Sequence, residues 1–160
     1  MPLKVYVETT IPSAYHEIRR DTDSLFRRIH TRQWWDEYAS RYQLVTSEAV
    51  LQELRHPAYP AAKRRACLKM VERLSLVSVT ELAERTASTY VREFVMPSPP
   101  SLDALHLALA SVHRCDILLT WNCEHLANAN KLGHINRVNG RLKLATPLLI
   151  TPLQLMGTDL

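Results

Sequence analysis

The sequence predicts an α/β protein built on a mostly parallel sheet of four to five strands, and three observations carry that expectation. Short runs rich in β-branched residues and leucine alternate with amphipathic helical stretches along the 160 residues. Only three glycines occur, at 133, 140 and 157, too few for a turn-dense all-β fold or a glycine-rich phosphate loop. No repeat, low-complexity stretch or linker divides the chain, so residues 1–160 are expected to form one domain.

The elements follow in order. Lys4 to Val7 is a brief apolar run and predicts the first strand. It ends in Glu8-Thr9-Thr10-Ile11-Pro12-Ser13, where Pro12 suits the first turn of a helix because its missing N–H does no harm there. Leu44 to Thr46 predicts the second strand, and Thr46 or Ser47 can cap the helix that follows. In that helix Glu48 and Glu53 point ~140° apart, so both cannot face one site. Val50 and Leu54 flank Glu53 on the apolar side, which makes Glu53 the inward carboxylate. Leu76 to Val79 predicts the third strand, and the step of four through Leu82, Thr86 and Tyr90 a helix after it.

Met96-Pro97-Ser98-Pro99-Pro100 must be an extended connection. Ser101 then stands as a cap that places Asp103 in the first turn of an apolar helix carrying the stripe Leu102, Leu105, Leu109 and Val112. His106 shares a face with Asp103. Ile117 to Thr120 predicts the fourth strand, with Asn122 and His125 just beyond it, and Leu148 to Thr151 a fifth. Strand–helix alternation implies βαβ crossovers and a sheet covered on both faces. Ligands bind such sheets beyond the carboxyl ends of the strands. Glu8, Glu53, Asp103 and the polar group Thr120, Asn122 and His125 all fall at that edge.

Composition excludes several function classes. Apolar residues make up 46% and charged residues 22%, as in ordinary globular proteins, and no run approaches the ~20 apolar residues of a membrane span. The N-terminal segment lacks a signal-peptide pattern, so a cytoplasmic protein is expected. Cys67, Cys115 and Cys123 form no C-x-x-C pair, which argues against a disulfide framework and a thiolate zinc site. His125 has no second histidine at helical zinc spacing. The net charge of +4 permits binding to a polyanion, although clusters such as Arg19-Arg20, Arg27-Arg28 and Lys63-Arg64-Arg65 read singly as solvated faces. Trp34 and Trp35, with Phe26 and Tyr38, suit packing better than base stacking. Carboxylates ~4 Å apart repel by roughly 4 kcal/mol at an effective dielectric near 20, so three of them in one pocket call for protonation or a divalent cation. Hard oxygen donors favour Mg²⁺ or Mn²⁺, ions suited to phosphodiester hydrolysis.

Four segments carry a resemblance: Val5-Tyr6-Val7-Glu8-Thr9-Thr10, Ser47 to Leu54, Asp103-Ala104-Leu105-His106, and Leu119-Thr120-Trp121-Asn122-Cys123-Glu124-His125. In that order they resemble the motifs of the PIN-domain family, and most closely those of its VapC-type toxins of type II toxin–antitoxin systems. The likeness runs on to Thr151-Pro152 and so covers nearly the whole chain. It implies a three-layer α/β/α sandwich around the parallel sheet and an acidic pocket for Mg²⁺ or Mn²⁺. It further implies RNA as substrate, a cognate antitoxin as partner, and a homodimer. Carried over by motif, Glu8, Glu53 and Asp103 hold the metal, and Asn122 completes the catalytic set where many members carry a fourth acid. Thr120, Thr9, His125 and His106 support them. Two departures stand out: Glu8 replaces an aspartate, and Asn122 is neutral. They open an alternative reading as a catalytically weak or inactive module that binds RNA or protein. A metal-dependent DNA nuclease is a third.

Overall fold

The computed structural model describes residues 1–158. Five strands form one sheet: β1 (Lys4–Val7), β2 (Gln43–Ser47), β3 (Ser75–Val77), β4 (Ile117–Leu119) and β5 (Leu148–Ile150). Their order is β3-β2-β1-β4-β5, and every neighbouring pair is parallel. The expected strands are all present, with ends shifted by a residue or two.

The two faces follow from the period of two along each strand. Tyr6 and Leu118 point to one face. There they pack with α3 (Glu48–Leu54), α4 (Ala61–Val71), α5 (Glu81–Arg92), α6 (Asp103–Val112) and α7 (Ala129–Arg141). Val5, Val7, Ile117 and Leu119 point to the other, against α1 (Thr10–Tyr15), α2 (Thr22–Glu37) and α8 (Pro152–Met156). The result is a three-layer α/β/α sandwich with a core on each side of the sheet. Trp34 is fully buried in the second core beside Trp35 and Tyr42, so this aromatic group packs the α2 face. No helix among the described residues is long and apolar enough to cross a membrane.

Three sequence expectations change. Leu82 is 47% exposed, and the buried stripe of α5 runs through Ala83, Thr86 and Tyr90 instead. The step of four from Thr86 to Tyr90 holds, but the buried stripe opens at Ala83, three residues before Thr86, in a helix capped by Thr80. Lys63 is buried rather than solvated, paired with Glu17 at 3.4 Å. Ser101 is not the helix cap: Leu102 occupies that position, and the Ser101 hydroxyl accepts from the Asp103 N–H at 3.3 Å.

Scarcity of glycine has a structural price at the helix ends. Phe94, Arg114 and Lys143 take the left-handed conformation, with φ of 60°, 55° and 58°. Each sits where a helix reverses, and the next N–H closes the turn: Val95 to Tyr90 at 2.8 Å, Cys115 to Ala110 at 2.9 Å, and Leu144 to Asn139 at 2.8 Å. A Cβ is disfavoured there by about 1 kcal/mol. Arg114→Gly and Lys143→Gly are therefore expected to raise the melting temperature by roughly 2–4 °C each. Lower melting in both variants would show that the exposed side chains contribute more than the strain they impose.

Candidate active site

The chain begins at the centre of the sheet, winds outward to β3, and returns to β4 on the opposite side of β1. That reversal opens a crevice at the carboxyl ends of β1 and β4. Glu8 leaves β1 at this point, and its N–H bonds to the Leu119 carbonyl of β4 at 3.2 Å. Its carboxylate is buried, with Oε1 accepting from the Thr10 N–H at 3.2 Å, the Thr10 hydroxyl at 2.5 Å and the Thr120 hydroxyl at 2.6 Å. One oxygen is thus fixed by three donors from two strand ends.

Glu53 enters from α3. Glu48, on the far side of that helix, is exposed and pairs with Arg55 at 2.7 Å, so the helical rotation sorts the two acids as read. The Glu53 Oε1 accepts from the Thr9 hydroxyl at 2.6 Å and from His106 Nε2 at 2.5 Å. His106 is wholly buried, and its Nδ1 meets the Tyr6 hydroxyl at 2.8 Å, which in turn meets the Ser47 hydroxyl at 2.7 Å. Ser47 stands at the N-terminus of α3 but spends its hydroxyl on Tyr6 rather than on the helix. Ligating atoms of Glu8, Glu53 and His106 all lie within 4.8 Å of one another.

Asp103 stands outside that close trio and joins it through α6 and a hydrogen-bond chain. Its Oδ2 accepts from the Asn122 side-chain amide at 3.0 Å. The Asn122 N–H donates to the Thr120 hydroxyl at 2.9 Å, and that hydroxyl donates to Glu8. Asn122 is held in turn by the His125 N–H, which donates to its Oδ1 at 3.1 Å. His125 thus acts through its backbone. Its ring lies 3.6 Å from Glu124 and bonds to none of the three acids.

The electrostatics are those of crowded anions. Burial pushes the Glu8 carboxyl above its usual value, and Glu53 adds to that, while His106 and the Thr10 and Thr120 hydroxyls oppose it. Burial acts in the same direction on Glu53, but the hydrogen bond and charge of His106, with Thr9, outweigh it and hold Glu53 below the usual range. For His106, burial disfavours the charged ring, yet Glu53, Glu8 and Asp103 together raise its pKa. His106 Nε2 thus faces the Glu53 carboxylate, and its Nδ1 continues the hydrogen-bond chain through the Tyr6 hydroxyl to the Ser47 hydroxyl. Burial keeps Tyr6 protonated by raising its pKa well above 10.0. Among the described residues no Lys or Arg side chain is within ion-pairing distance of Glu8, Glu53 or Asp103.

Comparison with known proteins identifies this architecture. The family model of the PIN domain matches residues 5–131. The chain belongs to the PIN-domain family. No curated protein matches it in sequence. Among solved structures, a chain of the VapBC2 complex from Rickettsia felis, bound to a DNA fragment from its promoter, shares the fold at a TM-score of 0.59. That likeness covers 93% of this chain and 98% of the other at 13% identity.

The PIN domain here brings Glu8, Glu53, Thr9, Thr120 and His106 together and links Asp103 and Asn122 to them. Sequence reasoning missed Tyr6 and placed His106 among the supporting residues without its partner. Tyr6 was legible only as an inward strand residue, although a buried phenol needs a hydrogen-bond partner and thus hints at one. His106 was read beside Asp103, whereas the pitch of α6 and the depth of the crevice turn it to Glu53. A divalent cation fits the donors present. Glu8 is a buried carboxylate with no Lys or Arg side chain against it, and the oxygens of Glu8, Glu53 and Asp103 are hard ligands.

Proposed function

We infer that this PIN domain is a Mg²⁺- or Mn²⁺-dependent endoribonuclease, the toxin of a toxin–antitoxin pair silenced by a cognate antitoxin. PIN domains are generally nucleases. The observation that carries the reading is Glu8, a carboxylate buried beside Glu53 without a Lys or Arg partner. The antitoxin and a homodimer are inferred from the motif resemblance, and the likeness in fold to a chain of the VapBC2 complex is consistent with an antitoxin partner.

Glu8, Glu53 and Asp103 would hold the ion. When bound, it supplies a water of lowered pKa and neutralises charge on the scissile phosphate. The side chains around it supply geometry. Thr10 and Thr120 lock the Glu8 carboxylate, and Thr9 and His106 lock Glu53, leaving the other oxygen of each acid free of hydrogen bonds from described residues. Asn122 fixes the Asp103 carboxylate in place of a fourth acid and adds no further repulsion. Arg27 lines a neighbouring cleft with Thr10 and Trp121 and is the cation assigned to the RNA backbone, since Arg19 beside it is paired with Glu17. Binding there weakens as salt rises.

Asp103→Asn is expected to abolish Mn²⁺-stimulated RNA cleavage while leaving the melting temperature within a degree or so of wild type. Saturating Mn²⁺ should raise the wild-type melting temperature by roughly 5–10 °C at about a hundred times its dissociation constant. Wild-type cleavage by the variant would reject the assignment of Asp103. Parallel assays on RNA and DNA separate the substrates.

One observation favours the weaker second reading, a binding module without catalysis. The His106 Nε2 already hydrogen-bonds the Glu53 carboxylate, so one acid of the cluster is held from within the protein. Under that reading the melting temperature does not move with Mn²⁺.

A further inference from the structure

A second cleft, of about 580 Å³, opens from the acidic site on the side of α3 and the proline-rich loop. Its wall includes Glu53 and Thr9, so it is continuous with the reacting centre. Beyond them its surface is formed mainly by Tyr59, Pro100 and Leu102, with Gln52 and His56 as the polar groups. It carries no Lys or Arg. The cleft across the site, bordered by Thr10 and Trp121, is lined by charges of both signs: Arg27, Asp21 and Asp23, with Arg19 paired to Glu17. The two sides of the acid group therefore differ: one is charged, and the other is largely apolar without Lys or Arg.

Gln52 lies in the last turn of α3 and His56 just past its C-cap, and both line this cleft. The Gln52 amide makes no hydrogen bond to any described residue, so its donor and acceptor are both available. His56 accepts the Ala58 N–H on Nδ1 at 3.0 Å, which places its proton on Nε2 as an outward donor. An apolar floor of Tyr59, Pro100 and Leu102, with the Gln52 amide and the His56 ring N–H beside it, suits a neutral, hydrogen-bonding ring. It does not suit a phosphate, which would meet no positive charge there.

We propose that this cleft is a nucleobase pocket that sets where the RNA is cut, by reading one base next to the scissile phosphate through Gln52 and His56. The proposal rests on the nuclease reading above. The base lies against Tyr59, Pro100 and Leu102, while the backbone crosses Glu53 toward the arginine-bearing cleft. Stacking on such a floor tolerates any base, so discrimination comes from the amide and the imidazole. One good bidentate contact distinguishes bases by about fivefold or more.

The test is cleavage of a pool of RNA oligonucleotides randomised at every position, with Mn²⁺, followed by sequencing of the cut ends. Wild type, Gln52→Ala, Gln52→Glu, His56→Ala and Arg27→Ala are compared, with melting temperature as a check on folding. Wild type is expected to show unequal base use at one position beside the cut. Gln52→Ala and His56→Ala should lower that preference by about fivefold or more, raise KM, and leave kcat within about twofold. Gln52→Glu, which loses the amide donor, should move the preference to another base. Arg27→Ala should weaken cleavage of all sequences alike and reduce its salt dependence. An unchanged profile in the Gln52 and His56 variants overturns the pocket while leaving the nuclease intact, and so does a profile altered at that position by Arg27→Ala alone. Failure of the wild-type protein to cut any RNA overturns both.

Discussion

Glu8→Gln is expected to melt several degrees higher than wild type in metal-free buffer at neutral pH, and to lose cation-dependent cleavage by at least about a hundredfold. The three hydrogen bonds to Glu8 all fall on Oε1, which a glutamine carbonyl reproduces. What disappears is a buried negative charge beside Glu53. The amide nitrogen takes the place of the second oxygen, as a donor to its anionic neighbour. Stability and function therefore move in opposite directions, as they do where a site holds strain for its ligand.

The pH dependence has a definite sign. Glu8 has its pKa raised above the ordinary 4.5 in the folded protein. Such a group contributes stability below 4.5 and loses it as pH climbs through its folded value. The metal-free wild type should thus lose stability on going from mild acid to neutrality at this site, and Glu8→Gln should lack that slope. Mn²⁺ should restore the wild type at neutral pH and leave the variant nearly unmoved. A variant that melts lower than wild type without metal, or that gains as much from Mn²⁺, would show that Glu8 is not an uncompensated anion.

The second large effect lies away from the acids. Glu17→Ala is expected to destabilise the protein by about 3 kcal/mol or more, lowering the melting temperature by roughly 6–12 °C. Glu17 follows α1 and is buried, and its Oε1 and Oε2 bond to the Arg19 guanidinium at 3.2 and 3.0 Å. Lys63 from α4 reaches it at 3.4 Å and is buried too. Removing the carboxylate strands the Lys63 ammonium in the interior, where an unpaired charge is far costlier than the pair is worth. Lys63→Met in the Glu17→Gln background should recover most of the loss, because neither charge then remains to be solvated. Burial alone would raise the Glu17 carboxyl, but Arg19 and Lys63 lower it to about 2. Its stabilisation is present above the ordinary 4.5 and lost as pH falls from there toward 2, so the variant should titrate more flatly in that window. Melting within a degree of wild type would mean that Lys63 finds water or another partner.

Lys63 also shows where reading the chain alone stops. In sequence it sits with Arg64 and Arg65 as one basic cluster. Helical rotation turns Lys63 inward and leaves its neighbours on the surface or near it, but only the seat of α1 against α4 provides Glu17 as a partner. The same division holds at the acidic site. Strand runs, the helix after Pro12, and the opposite facing of Glu48 and Glu53 are local consequences of period and turn chemistry. They were legible because residues a few positions apart determine them.

By itself the sequence determined the α/β class, a sheet of four to five strands, and the placing of Glu8, Glu53, Asp103 and Asn122 at one edge of it. Only the tertiary structure decided which atoms meet there. His106 bonds Glu53 across 53 positions and Thr120 bonds Glu8 across 112. Such contacts depend on the order in which strands lie side by side, on helix rotation over the sheet, and on which side chain reaches a shared donor first. No local pattern encodes that competition, because it is settled by packing among segments far apart in the chain.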